Sequence, residues 1–78
     1  MRHSKANKII DGRGLEPPEP FVLTMDALNA SSLGEKVLLI LSREPYPLYE
    51  ALDVNGFSHQ TRRAPDGTFE ILSWRNSE

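Results

Sequence analysis

With 78 residues, 38% of them hydrophobic and 26% charged, the chain has room for one small domain and not two. Nine Lys and Arg against eleven Asp and Glu leave a formal charge of −2, without the basic footprint that draws a protein to phosphate backbones. The absence of cysteine excludes a disulfide scaffold, a thiolate nucleophile and a Cys-based zinc or iron–sulfur centre.

Residues 1–7 are polar and read as a tail, 8–75 as a single domain, and 76–78 as a second tail. Lys8-Ile9-Ile10-Asp11 carries two β-branched residues and favours a short strand. Gly12 to Pro17 forms its exit loop. From Pro18 the pattern changes: Phe21, Val22, Met25, Ala27 and Leu28 recur at spacings of three and four, the signature of one apolar helix face. Pro18 or Pro20 suits the first turn, where a missing N–H costs nothing, and Glu19 suits the positive end of the helix dipole. The expected end is near Ser32 or Leu33, with Gly34 as a left-handed stop.

Lys36 to Ser42 holds five consecutive apolar residues without alternation and reads as a strand buried on both faces. Arg43-Glu44-Pro45-Tyr46-Pro47 repeats the proline-rich exit. Leu48, Ala51, Leu52 and Asn55 mark a short helix closed by Gly56. Phe57, His59 and Thr61 then share one side of a strand, and Ser58, Gln60 and Arg62 the other. Pro65-Asp66-Gly67 turns the chain into a last strand, Thr68 to Trp74. The order is β-α-β-α-β-β. It fits an α/β (α+β) two-layer sandwich in which two helices cover one face of a mixed four-stranded sheet.

With that order in place, "IDGRGLEPPEP" resembles the opening of the TusA-like (SirA-like) sulfur-carrier family. There a strand ends in Asp, a Gly-Leu follows, and Cys-Pro-x-Pro begins the first helix. Asp11, Gly14 and Leu15 match, as do Pro18, Glu19 and Pro20; the cysteine position falls on Pro17. The second loop, "REPYPLYEAL", and the ending "GFSHQTRRAPDGTFEILSW" look like a cysteine-less branch of that superfamily, itself of unknown function. The resemblance spans roughly residues 8 to 75. It implies the two-layer sandwich and, in the parent family, a persulfide carried on the cysteine at the helix N-terminus. Proline at residue 17 removes that chemistry, so sulfurtransferase activity does not carry over. Some members of the branch place a histidine two residues before the first proline of the second loop; here Arg43 stands there, which counts against a metal.

No complete catalytic constellation is present. No serine sits in a Gly-x-Ser-x-Gly elbow, and Gly12-x-Gly14 lacks the third glycine of a dinucleotide fingerprint. His3 and His59 are isolated, whereas a metal needs three or four converging ligands. No apolar run approaches the ~18 residues of a membrane span, and no secretory pattern opens the chain. The expected setting is the cytoplasm, without cofactor, metal, membrane or nucleic acid.

The candidate binding residues are Asp11, Arg13, Glu16, Pro17, Pro18 and Glu19 in the first loop, and Arg43, Glu44, Tyr46 and Tyr49 in the second. Successive parallel strands would bring both loops to one sheet edge, where open α/β sheets hold ligands. An arginine there can grip a carboxylate or phosphate through two parallel hydrogen bonds. The plainer reading is that the prolines set the helix geometry and the charges are solvated or locally paired. Two functions follow: a non-enzymatic module that docks a protein or small ligand, or a small enzyme or enzyme subunit using Asp11, Glu16 and Glu44 with Arg43. A third possibility is a homo-oligomer pairing through Thr68–Trp74 as an edge strand.

Overall fold

The computed structural model describes residues 6–76. Their elements follow the expected order: β1 (Lys8–Asp11), α1 (Glu19–Ala30), β2 (Lys36–Leu41), α2 (Tyr46–Val54), β3 (Phe57–Arg63) and β4 (Phe69–Arg75). The sheet runs β1-β2-β4-β3. β1 lies parallel to β2, with Ile10 opposite Leu39. β4 is antiparallel to both β2 and β3, with Ile71 opposite Leu39 on one side and Thr61 on the other. The last strand is therefore internal. Its backbone groups are paired on both sides, so the notion of Thr68–Trp74 as a free edge is corrected: the edges are β1 and β3.

Alternation sorts each strand onto two faces. Ile10, Val37, Leu39, Phe57 and Ile71 point to the helices and join Leu28, Leu48 and Leu52 in the core. The opposite face carries Ile9, Leu38, Ile40, Leu72 and Trp74, and no helix of the described residues covers it. Leu38 is buried even so, because Ile9 and Leu72 flank it in register. The apolar run of β2 thus serves both faces, as its lack of alternation implied.

α1 differs from expectation in two respects. Phe21, Met25, Ala27 and Leu28 pack on the core as expected, but the buried positions also include Pro20 and Thr24, and Val22 turns outward. The helix also stops at Ala30, short of Ser32. Ser31 is already extended, and its hydroxyl and backbone N–H both donate to the Leu28 carbonyl. The residues beyond form a separate turn: the Glu35 N–H donates to the Ser32 carbonyl, and the Ser32 N–H to the Glu35 carboxylate. Gly34, at φ +93°, belongs to that turn and not to the helix stop. α1 has no basic residue in its last turn, yet its C-terminal carbonyls are met from afar. Arg75 of β4 donates to the carbonyls of Ser31 at 3.0 Å and Asn29 at 3.1 Å.

α2 ends as its sequence suggests, with Asn55 as cap and Gly56 at φ +81°. Pairing with β2 begins one residue before β1, where Asn7 exchanges hydrogen bonds with Lys36. At the other end Asn76 bonds to the Gly56 carbonyl through its N–H and to the Ser58 hydroxyl through its side chain.

Candidate functional site

Because β1 and β2 run parallel, their exit loops emerge side by side. The Gly12 N–H donates to the Ile40 carbonyl at 2.8 Å, carrying the strand pairing into the first loop. A Cβ at Gly12 would lie 2.8 Å from Leu41 Cδ2 and 3.2 Å from both the Ile40 carbonyl oxygen and Pro20 Cβ, so only glycine fits without displacement. The two loops then diverge around a cleft of about 760 Å³. Its deep wall is apolar, built from Leu15, Phe21, Leu39, Leu41 and Leu48; its rim carries Arg13, Glu16, Arg43 and Glu44.

Prolines shape the two helix starts that face this cleft. At α1 the Glu19 N–H donates to Glu16, Pro20 has no N–H, and the Val22 N–H donates to Pro18. At most the Phe21 amide of that turn remains open. At α2 the amides of Tyr46, Leu48 and Tyr49 donate to Glu44 and Pro45, and Pro47 has none. An anion site at a helix N-terminus depends on free amides. Proline substitution and local bonding have removed most of them, and Glu16 and Glu19 oppose negative charge further.

The two loops treat their charges differently. In the first, Arg13 forks onto Asp11, with Nε 2.8 Å from Oδ1 and Nη2 2.8 Å from Oδ2, and the Arg13 N–H also reaches Oδ1. This hydrogen-bonded arginine holds the Asp11 carboxyl down at about 2. Asp11 thus stays ionised and exchanges no proton near neutral pH, while Arg13 is occupied. In the second loop the exposed Arg43 guanidinium has no hydrogen-bond or ion-pair partner among the described residues.

Glu44 leads away from the cleft. Its carboxylate accepts from the Tyr49 hydroxyl at 2.9 Å, and that hydroxyl lies 2.6 Å from Thr61 Oγ1 on β3. The Tyr49 ring stacks on His59 at 4.5 Å with planes 3° apart, and meets Tyr46 at 6.0 Å and 88°. Burial first, then the Glu44 bond and charge, raise the Tyr49 hydroxyl against the lowering bond from Thr61. Glu44, through hydrogen bonding before charge, raises the Tyr46 hydroxyl, and partial desolvation adds to it. His59 is half-buried in this stack, with Nδ1 4.0 Å from Asp53 Oδ1. No group of three His, Asp or Glu positioned for a metal occurs among the described residues, and His3 lies outside them.

Of the residues singled out from sequence, the cleft gathers Arg13, Glu16, Pro17, Pro18, Arg43 and Glu44. Asp11 and Glu19 do not line it. Tyr46 and Tyr49 sit on the far flank of α2, toward β3. Sequence reasoning missed the apolar wall and the parts of Thr61 and His59 in the tyrosine network. Their shared strand side was visible in the alternation, but their partner on α2 was not. The one deeply buried carboxylate among the described residues, Glu70, faces away from the helices and from the cleft.

No helix among the described residues is long and apolar enough to cross a membrane. Among curated proteins none matches the chain. Among solved structures, a SirA-like protein from Desulfitobacterium hafniense matches with a TM-score of 0.75 at 19% identity, over 85% of this chain and 93% of that one. At that identity the likeness speaks for the fold, which is SirA-like. The family model described as "Uncharacterized conserved protein (DUF2249)" matches residues 9–75, nearly the whole described sheet-and-helix unit, and the chain belongs to that family.

Proposed function

We propose that the domain is a non-enzymatic docking module. Its cleft takes an apolar segment of a partner protein, and Arg43 grips a carboxylate on that segment. One observation carries this reading: an apolar wall faced by a guanidinium that nothing else in the described chain engages. A guanidinium held over apolar surface pairs strongly with a carboxylate, because the two planar groups match in two parallel hydrogen bonds.

The enzymatic alternative asks Asp11, Glu16 and Glu44 to move protons. Asp11 is held ionised by Arg13, Glu16 is exposed, and Glu44 already accepts the Tyr49 hydrogen bond. Acid–base work needs carboxyl groups whose surroundings separate their pKa values near neutrality, and the cleft offers no desolvated pair of that kind. A setting in redox, sulfur or metal metabolism is an analogy from fold alone. The persulfide step is no part of the proposal, since Pro17 lines the cleft where the carrier family has its cysteine.

NMR shift mapping with apolar peptides ending in a free carboxylate, against the same peptides amidated, tests the reading. Binding should move the amides of Gly12, Leu15, Phe21 and Arg43, prefer the free carboxylate, and weaken at least about tenfold in Arg43→Ala, as loss of a charged hydrogen-bonded partner implies. Shifts confined to the uncovered sheet face, or equal affinity for amidated peptides, would reject it.

A further inference from the structure

Outside the cleft, the far flank of α2 presents a different chemistry. Tyr46 and Tyr49, three residues apart on the helix, set their rings at 88° with centroids 6.0 Å apart. Tyr46 is 69% exposed. Tyr49 is fixed from behind by the parallel His59 ring and held at its hydroxyl by Thr61. The Glu44 carboxylate closes the hydroxyl end, bonded to Tyr49 and near enough to Tyr46 to raise its hydroxyl. Glu44 is only partly exposed and forms no ion pair among the described residues, so its charge is uncompensated. Two further acids of α2, Glu50 and Asp53, are exposed on the same helix.

We propose that Tyr46, Tyr49 and Glu44 form a recognition site for an alkylated ammonium ion, either a free quaternary amine or a methylated lysine side chain. Aromatic faces attract a cation through the negative potential over the ring, effective within about 6 Å of the centroid. Two rings at right angles let one small cation lie against both, and the adjacent carboxylate supplies the counter-charge. The chemistry excludes nearer rivals. One carboxylate and two phenols fall short of the converging donors a metal ion needs. A primary ammonium is strongly hydrated and loses more on leaving water, whereas methyl groups match the apolar ring surface. The two rings lie outside the cleft and Arg43 takes no part in this site; Glu44 is the one residue it shares with the cleft rim.

Choline is the probe, with the uncharged isostere 3,3-dimethylbutan-1-ol as its control at constant ionic strength. The expected result is saturable shifts of the Tyr46 and Tyr49 ring resonances and the Glu44 carboxyl with choline, and upfield movement of the choline methyl signal. The alcohol should do neither. Tyr46→Leu should weaken binding about two- to fivefold and Tyr46→Phe should retain it, the range set by an exposed cation–π contact. Glu44→Gln should weaken binding while circular dichroism shows the fold unchanged. A trimethyllysine peptide, run against its unmodified form, distinguishes the sources. Tighter binding than choline assigns a modified side chain, and weaker binding assigns a free amine. Equal shifts from choline and the alcohol, shifts elsewhere on the surface, or no saturation with either cation would overturn the proposal.

Discussion

The chain builds the same layout twice, a strand, a proline-rich loop and a helix, yet the two copies differ in what their charges are free to do. In the first, Asp11 and Arg13 neutralise each other across a fork, and the loop closes on itself. In the second, Arg43 is unengaged among the described residues, and Glu44 is tied through Tyr49 to a strand distant in sequence. A repeated sequence plan therefore fixes where the loops go, while the neighbours each loop meets decide its chemistry. Loop one supplies shape and loop two supplies reach.

Three paired comparisons probe that contrast. The largest effect is expected at the position just after each strand. Gly12→Ala forces a Cβ against Leu41 and the Ile40 carbonyl, an overpacking that should cost about 1–3 kcal/mol in denaturant unfolding. Ser42→Ala, at the equivalent exposed site, should stay within about 0.5 kcal/mol. Equal losses would show that the tight approach is not peculiar to loop one.

A smaller difference separates the fourth residues of the helices. Tyr49→Phe gives up the hydroxyl contacts with Glu44 and Thr61 and should destabilise by about 1–2 kcal/mol. Val22→Ala, on the exposed side of α1, should change stability by less than about 0.5 kcal/mol. A Tyr49→Phe protein as stable as the parent would mean that the link to β3 contributes nothing.

The subtlest test is the pH profile. Asp11 ionises at about 2 when folded against 3.8 ordinarily, so its stabilisation is complete above about pH 4 and fades as pH falls through 2. Tyr49 is shifted the opposite way. Its contribution is complete below the ordinary tyrosine value of 10.0 and fades as pH rises through the higher folded value. Thermal unfolding across pH should therefore flatten at the acid end in Asp11→Asn and at the alkaline end in Tyr49→Phe. Asp11 is exposed and screened by water, so the acid effect should be the least of the three.

The order of elements was legible because each segment states its period plainly: the continuous apolar run of β2, the alternation of β3, the Pro-Asp-Gly turn before β4. Strand order was not, since a hairpin signal does not say on which side the returning strand inserts, and β4 entered between β2 and β3. Thr24 was overlooked as a polar residue, although it falls on the buried side of α1 between Pro20 and Leu28. The early end of that helix depends on the Ser31 hydroxyl and on Arg75, a contact 44 residues distant that no local pattern contains. At the site, the meeting of the loops followed from parallel strands. The division into engaged and unengaged charges depended on side-chain geometry, which spacing alone leaves open.

Arg75 has a bearing on how the chain can be shortened or extended. Although it stands at the last position of the last strand, its guanidinium grips the end of a helix made half a chain earlier and lies 5.7 Å over the Phe57 ring. Cutting before that residue would unfasten α1 at its far end as well as trim the sheet. A fusion partner attached after Asn76 would leave the clasp intact.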